Sequence, residues 1–261
     1  AKGADKVKIE NKVKEKLAAG QTAYGTFMMG SDPAVGEILG YAGLDFVVVD
    51  TEHSPNPVHH AEQIFRAVEN TGAVPFMRVT ANDQARILQA LDCGARGIVI
   101  PQVNSAAEAQ AAVKAARYYP GGERGLAGIV RAARYGFVPF ADYVQQANKA
   151  VMILTQVEHV DAVAHLDEIL AVEGLDGIFV GPADLSQSMG IPGQVNNEEF
   201  RATVSSILRR TKAAGKVAGI FCFNTADAKH WISQGANLVV VGADIMLISG
   251  AARKLVSELN S

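Results

Sequence analysis

The chain has 261 residues, 49% hydrophobic and 20% charged, a composition typical of a globular protein that buries a large core. Its formal net charge of −3 at pH 7 argues against a nucleic-acid-binding or anionic-membrane-binding surface. The two cysteines, Cys93 and Cys222, have no metal-ligand spacing, so we expect reduced, partly buried thiols. No apolar run approaches the roughly 18 residues of a membrane span, and we expect a cytoplasmic protein.

The predicted elements begin with a Lys-rich stretch over residues 1–20. Val7, Ile9, Val13 and Leu17 lie roughly a helical turn apart there, which predicts a surface helix as an extension of the fold. Eight β-rich apolar runs follow in the order TAYGTFM, LDFVVVD, AVPFMRV, RGIVIPQV, VMILTQVE, LDGIFVGP, KVAGIFCF and ANLVVVGA. Strands so rich in Val, Ile and Leu are covered on both faces, which is typical of a parallel sheet.

Helix-like segments alternate with these strands, among them NPVHHAEQIFRAVENTG, SAAEAQAAVKAARYY and NTADAKHWISQG. Asp or Asn often opens such a segment and Gly often closes it, as helix capping favours. About eight strand–helix units in this length predict one (β/α)₈ TIM barrel domain over residues 1–261. An open doubly wound sheet is the alternative, although the first strand lacks a Gly-rich dinucleotide turn.

One connection, from Arg117 to Val151, is unusually long and carries Arg124, Arg131 and Arg134. Loops of this length in a compact domain are commonly functional, and acidic substrates would explain the arginines. The alternative is an extra helix with exposed arginines.

Polar side chains follow the ends of the predicted strands, where barrel enzymes place their catalytic groups. They are Asp50, Glu52 and His53 after strand two, Arg78 in strand three, Gln102 after strand four, Gln156 and Glu158 at strand five, and Asp184 in GPADLS after strand six, with Asp92 closing the helix after strand three. Carboxylates, one arginine and one histidine are therefore expected on one rim.

Glu158 and Asp184 are 26 positions apart, about one strand–helix–strand repeat. Neighbouring parallel strands lie about 4.8 Å apart, so both carboxylates can reach one ion. Oxygen donors with open positions suit Mg²⁺ or Mn²⁺. The alternative is that each carboxylate caps the following helix. Backbone N–H groups at Ala183 and Asp184, after the Gly-Pro pair, can hold a small carboxylate or phosphate.

Arg78 and His53 each leave two interpretations open. Arg78 lies in an apolar strand, where arginine needs either a structural carboxylate partner or a substrate oxyanion. His53 is either a satisfied polar residue at a strand end or a general base, with Asp92 as the candidate partner that orients its ring. The other five histidines are expected at the surface.

Several of these segments, taken together and in order, resemble the HpcH/HpaI aldolase family. The matching stretches are DTEHSP, PFMRV, LDCGARGIVIPQV, YYPGGERGLA, RAARYG, TQVEH and EGLDGIFVGPADLSQSMG. The resemblance implies a (β/α)₈ barrel that reversibly splits a 4-hydroxy-2-oxo acid into pyruvate and an aldehyde through a pyruvate enolate. It also implies a divalent metal, Mg²⁺ or Mn²⁺ with Co²⁺ possible, and a homo-oligomer, a hexamer built from dimers.

The resemblance also implies roles for individual residues. Glu158 and Asp184 would bind the metal, Arg78 would stabilise the enolate, and His53 would be the general base with Asp92 as its partner. The residues expected near substrate are Phe27, Gln156, Gly181, Pro182, Ala183 and Asp184, with Asp50 and Glu52 supporting the site from behind the ligands. Phe27 stands where the best-known bacterial member of the family has Trp. This position bears on the pocket for the aldehyde, so the aldehyde substrate of that member is not assigned to this chain.

Three other functions compete with this interpretation. A citrate-lyase-β-like enzyme cleaving acyl-CoA thioesters predicts a long cationic groove. A decarboxylase acting on a 2-oxo diacid would use the same enolate. A non-catalytic barrel would leave His53 and Arg78 as packing residues and predicts no metal dependence.

Overall fold

The computed structural model describes residues 8–261, which form a closed barrel of parallel strands in the order β1 to β8. The strands are β1 (Ala23–Met28), β2 (Phe46–Asp50), β3 (Val74–Arg78), β4 (Gly97–Ile100), β5 (Met152–Val157), β6 (Gly177–Val180), β7 (Val217–Cys222) and β8 (Leu238–Ala243). All eight coincide with predicted apolar runs. Pairing of β1 with β8 closes the sheet, so the (β/α)₈ prediction is confirmed and the open sheet is wrong.

Helices surround the barrel and join successive strands. They are α1 (Lys12–Ala18), α2 (Pro33–Tyr41), α3 (Val58–Thr71), α4 (Gln84–Asp92), α5 (Ala106–Ala116), α6 (Phe140–Ala150), α7 (Val160–Ala164), α8 (Leu166–Leu170), α9 (Pro182–Ser188), α10 (Glu198–Ala213), α11 (Thr225–Ser233) and α12 (Asp244–Leu259). Asp32, Asp83, Asn197 and Asn224 accept backbone N–H bonds at helix starts, which confirms the predicted capping. Within residues 8–261, no helix has the length and apolar character to cross a membrane.

The N-terminal helix is shorter than predicted, and one of its faces is buried against the barrel. It starts at Lys12, Ile9 lies outside it, and Val7 lies outside the described residues. Val13 is 1% exposed and packs with Phe46 and other residues at the N-terminal ends of the strands. Thus α1 closes the N-terminal end of the barrel, because the apolar side chains inside that end require an apolar cover.

The long connection before β5 contains the extra helix that the sequence left as an alternative. It includes a 3-10 helix (Arg131–Gly136) followed by α6. The arginines, however, are not exposed as that alternative expected: Arg124 and Arg131 are 5% and 6% exposed.

These arginines hold the connection against α3 and α4. Arg124 donates to Asp92 at 2.7 Å, and Arg131 and Arg134 donate to Glu69 at 2.6 and 3.0 Å. Burial alone would raise the pKa of Glu69, but the neighbouring arginines outweigh it and lower that pKa. The connection is therefore fixed against these two helices by ion pairs.

Both thiols are free and buried, as predicted. Burial raises the pKa of Cys93 and that of Cys222 to about 12, so both are protonated at neutral pH.

Candidate active site

A cavity of about 400 Å³ opens at the C-terminal ends of the strands. It is lined by Glu52, His53, Gln102, Asn104, Glu158, His159, Asp184, Gln187 and Ser188. Five residues that the sequence placed on the rim thus meet in one cavity, namely Glu52, His53, Gln102, Glu158 and Asp184. This is the end of the barrel where loops after the strands build active sites.

The abrupt polar end of β2 is explained by Asp50. Asp50 is fully buried, and its Oδ1 accepts the backbone N–H groups of Glu52 and His53 at 3.0 and 3.3 Å. This Asx-type turn bends the chain directly after the strand. The turn brings Glu52 and His53 to the lining of the cavity.

The same carboxylate holds Arg78, which lies opposite Asp50 in the β2–β3 register. Arg78 Nε and one Nη donate to the two oxygens of Asp50 at 2.9 and 2.6 Å, and Glu52 Oε2 lies 3.3 Å from Nε. The guanidinium also stacks on Phe27, with its carbon 4.6 Å from the ring centroid. The structural ion pair left open by the sequence is therefore present, and it fixes Arg78 beside the cavity.

Glu158 is held rigidly at the end of β5. It is 6% exposed, its Oε1 accepts the backbone N–H of Gln102 at 2.7 Å, and its Oε2 accepts from Gln156. A Cβ at position 181 would lie 3.0 Å from Glu158 Oε2, so Gly181 leaves room for this carboxylate. Burial raises the pKa of Glu158, the N–H of Gln102 opposes that rise, and the charge of Asp184 adds to it.

Gln102 delivers its N–H from a strained backbone conformation. Its φ of 55° lies in the left-handed region, which costs a residue other than glycine about 1 kcal/mol or more. Strain of this kind persists where the surroundings fix the conformation, and here it accompanies the hydrogen bond to Glu158.

Glu52 lies close to several other carboxylates. Burial raises its pKa to about 7; Arg78 opposes this rise, whereas Glu158, Asp50 and Asp184 reinforce it. Asp184 itself lies in the first turn of α9, two residues after Pro182, and is exposed. Carboxylates grouped in this way are unfavourable together unless protons or a cation neutralise part of their charge.

Within one chain, Asp92 is not the partner of His53 that the sequence predicted. His53 Nε2 lies 3.9 Å from Glu52 Oε2, whereas Asp92 pairs with Arg124. The reason is geometric: α4 runs back from the barrel mouth, and nine residues at 1.5 Å each carry its end about 13 Å away. Within one chain, Asp92 is therefore not among the residues that meet at the barrel mouth. The imidazole of His53 is 57% exposed.

Four cavity residues were missed in the sequence: Asn104, His159, Gln187 and Ser188. His159 was expected to be a surface residue; it is half-exposed, yet it lines the cavity directly after Glu158. Its position at a strand end was the available signal. Gln187 lies three residues after Asp184 on α9, which places both on one helix face.

The matches to known proteins are consistent with this geometry. The family model described as HpcH/HpaI aldolase/citrate lyase matches residues 23–251. A 2-keto-3-deoxy-L-rhamnonate aldolase of Salmonella gallinarum is 39% identical over 244 residues, which cover 93% of this chain and 91% of that protein.

Two solved structures have the same architecture. A HpcH/HpaI aldolase/citrate lyase family protein from Burkholderia cenocepacia superposes with a TM-score of 0.91 at 33% identity, covering 96% of this chain and 100% of that one. A HpcH/HpaI aldolase from Desulfitobacterium hafniense gives a TM-score of 0.90 at 32% identity, covering 95% and 96%.

Proposed function

The chain belongs to the HpcH/HpaI aldolase/citrate lyase family and is a carbon–carbon lyase, and on that premise we propose how its mouth cavity works. It cleaves a 4-hydroxy-2-oxo acid reversibly to pyruvate and an aldehyde, with a divalent metal ion. The observation that carries this proposal is the meeting of Glu158 and Asp184 in one cavity, with Arg78 fixed beside it. The relatives' name makes a 2-keto-3-deoxy sugar acid the first substrate to test.

The donor atoms of the cavity fit a hard divalent cation. Glu158 and Asp184 are the proposed ligands. Burial raises the pKa of Glu158 and the charge of Asp184 adds to that rise, and a cation between the two carboxylates would oppose both effects. Gln156 Oε1 is buried without a hydrogen-bond partner among the described residues. A further oxygen atom that could bind a cation therefore lies beside Glu158. Oxygen ligands suit Mg²⁺ or Mn²⁺, with Co²⁺ also accommodated.

Within residues 8–261, no group of three or more His, Cys, Asp or Glu has the arrangement of a metal site. The proposed set has two carboxylates and would leave coordination positions for a 2-oxo acid. When bound, the ion would supply a Lewis acid for the keto oxygen of the substrate and would balance its negative charge.

The residues around the proposed metal site have distinct tasks. Asp50 engages Nε and one Nη of Arg78, and the second Nη is the donor we assign to the enolate oxygen. The exposed imidazole of His53 accepts the proton of the C4 hydroxyl during cleavage and returns it during addition. The backbone N–H groups of Ala183 and Asp184 are assigned to the substrate carboxylate.

The structure weakens one of the rival functions and leaves another to experiment. The thioester lyase required a cationic groove, yet Arg124, Arg131 and Arg134 are engaged with Asp92 and Glu69 away from the cavity. A decarboxylase would share the enolate, so the aldehyde requirement of the reverse reaction separates it from an aldolase.

We also propose that the protein is a homo-oligomer, with a hexamer built from three dimers as the expected state. Within α12 only Asp244 is buried, whereas Ile245, Leu247, Ile248 and Leu255 are about half-exposed or more. Apolar side chains grouped on one exposed helix are typical of an interface. Light scattering measures the molar mass of the parent chain and of Leu247→Glu, and we expect an oligomer for the parent and a smaller species for the variant. A parent chain that is monomeric contradicts the proposal.

Deuterium exchange into the pyruvate methyl group tests the catalytic proposal without knowledge of the aldehyde. We expect exchange with Mg²⁺ or Mn²⁺, loss with EDTA, and loss together with weakened calorimetric metal binding in Glu158→Gln. Glu168→Gln, an exposed residue of α8, is the matched control. Metal-independent exchange, or none while pyruvate binds, contradicts the proposal.

A further inference from the structure

We propose that Asn56 and Asp244 are positioning residues for His53. Together they form a clamp on Met29 and Gly30, the first two residues after β1, and this clamp holds the loop on which His53 lies. The inference rests on the proposed aldolase function, because it names residues that act through the general base assigned there.

The direction of the His53 ring depends on the loop that carries it. The ring is exposed, and its Nε2 lies 3.9 Å from Glu52 Oε2, beyond hydrogen-bond distance. The loop comprises residues 51–57, between the end of β2 and the start of α3. A base has to be held close to the proton that it accepts, so the restraints on this loop bear directly on catalysis.

The two ends of the loop are fixed in different ways. At its start, Asp50 Oδ1 accepts the backbone N–H of His53 at 3.3 Å. Near its end, Asn56 is 5% exposed, and its Nδ2 donates to the backbone oxygens of Met29 and Gly30 at 3.1 and 3.2 Å. The later half of the loop is therefore tied to the chain after β1 and not to β2 alone.

Ser54 connects this second restraint to the base. Its hydroxyl donates to the backbone oxygen of Asp50 and accepts the backbone N–H of Asn56 at 3.2 Å. Ser54 directly follows His53 in the chain. A shift of Asn56 would therefore be passed through Ser54 to the residue that carries the imidazole.

Asp244 fixes the two residues that Asn56 contacts. It is the first residue of α12 and is 2% exposed, and its two oxygens accept the backbone N–H groups of Met29 and Gly30, each at 2.9 Å. A Cβ at position 30 would lie 2.8 Å from Asp244 Oδ2, so this close approach requires glycine. The carboxylate takes both N–H groups and Asn56 takes both carbonyl groups, which leaves the dipeptide fully engaged.

Loss of the clamp should reach His53 more than the other residues of the site. Removing the amide of Asn56 leaves two backbone oxygens without their donor and frees the end of the loop. Arg78 does not depend on the clamp, because two hydrogen bonds to Asp50 hold it. The proposed metal ligands lie on other strand ends, so metal binding should be unchanged.

Asn11 offers a matched control at the opposite end of the barrel. It is 4% exposed, and its Nδ2 likewise donates to two backbone oxygens, those of Arg96 and Ala150, at 3.0 and 2.8 Å. Asn11→Ala therefore removes a buried amide of the same kind without touching the loop of His53.

The NMR signal of the His53 imidazole tests the positioning without any substrate. Histidine labelled at Cε1 is used in the Mg²⁺-loaded protein, and the His53 signal is the one that His53→Ala removes. We expect this signal to shift or broaden in Asn56→Ala and in Asp244→Asn, and to stay in place in Asn11→Ala. An unchanged signal in both clamp variants would overturn the inference.

Kinetics show whether the clamp acts through the base. We measure cleavage of 2-keto-3-deoxy-L-rhamnonate with Mg²⁺, per folded site counted by calorimetric Mg²⁺ binding. Asn56→Ala should lower kcat by about tenfold or more with KM within about threefold of the parent, because only the position of the base changes. In the His53→Ala background the same substitution should change kcat by less than about twofold.

Three results would contradict this role. They are a kcat that Asn56→Ala leaves unchanged, an equal loss in the His53→Ala background, and an equal loss in Asn11→Ala. Asp244→Asn acts on the other side of the same dipeptide, so either clamp variant suffices. If neither variant folds while Asn11→Ala does, the clamp is a folding element and its assignment to His53 is wrong.

The parent chain separates this inference from the proposed function. A parent that cleaves the substrate, with both clamp variants as active as the parent, overturns the positioning role alone. A parent that neither cleaves it nor exchanges the pyruvate methyl group overturns the proposed function, and the imidazole signal still reports whether the clamp orients His53.

Discussion

The ion pair between Asp50 and Arg78 should be essential to stability and, through Arg78, separately essential to chemistry. The side chains are 1% and 11% exposed and share two hydrogen bonds of 2.9 and 2.6 Å. Removing one partner of such a pair leaves the other charge buried, which costs about 3–5 kcal/mol. We therefore expect Arg78→Met to destabilise the metal-free protein by about that amount.

A double-mutant cycle isolates the pair. Asp50→Asn keeps an oxygen for the backbone N–H groups of Glu52 and His53 but loses the charge. Combining it with Arg78→Met removes both charges, so the double variant should be about 2–3 kcal/mol more stable than the sum of the single effects predicts. Urea unfolding in EDTA measures these free energies.

An exposed ion pair provides the control. Glu62 and Arg66 on α3 lie 2.6 Å apart but are 29% and 42% exposed, and the same cycle there should give a coupling of about 0.5 kcal/mol or less. A coupling at Asp50–Arg78 no larger than that would refute the reasoning about burial.

The activity of the double variant distinguishes the two roles of Arg78. Recovered stability cannot replace the donor assigned to the enolate oxygen, so pyruvate exchange should remain about 10²-fold or more below the parent chain. Restored exchange in Arg78→Met or in the double variant would leave Arg78 with a structural role alone.

Three further predictions concern single residues of the cavity. The folded pKa of Glu52, about 7, exceeds its ordinary 4.5, so the folded chain holds that proton more tightly, and the metal-free protein should lose up to about 3 kcal/mol as pH rises from about 4.5 to 7. Urea unfolding in EDTA at pH 5 and pH 8 should show a smaller loss of stability in Glu52→Gln than in the parent chain. An equal loss in both proteins contradicts the assignment. Gln102→Val should cost about 1–2 kcal/mol in thermal unfolding, whereas Gln102→Gly should be neutral or stabilising, because only glycine adopts a φ of 55° freely. His53→Ala should change the unfolding free energy by less than about 0.5 kcal/mol, because its ring is exposed, yet lower retro-aldol turnover by about 10²–10⁴-fold; normal turnover removes it as the base.

Much of the fold could be predicted from local pattern. The apolar strands and the capped helices have short-range signatures, and all eight strands were placed correctly. The residues that the sequence placed at the strand ends share one cavity because strand ends of a parallel barrel all open at the same mouth, as seen for Glu52, His53, Gln102, Glu158 and Asp184. Their roles as ligands or supporting groups stay predictions until metal binding is measured.

The errors arose where the position of a residue depended on the length and direction of a helix. Asp92 looked like a neighbour of the strand ends, but α4 carries it away from the mouth to Arg124. The arginines of the long connection looked available, but Glu69 and Asp92, distant in sequence, pair with them. Likewise, only packing reveals that Val13 closes the barrel.

The sequence by itself determined where the strands lie, that the sheet is parallel, and where the strands end in polar residues, since these follow from hydrophobic period and from capping chemistry between close neighbours. The tertiary structure alone decided which charges meet. Asp50 lies 28 residues from Arg78 and Gln102 lies 56 residues from Glu158, and each pair forms only when the strands align in register around the closed barrel. Ion pairs and buried hydrogen bonds act over a few ångströms, so their partners depend on where closure brings the chain and not on separation along it.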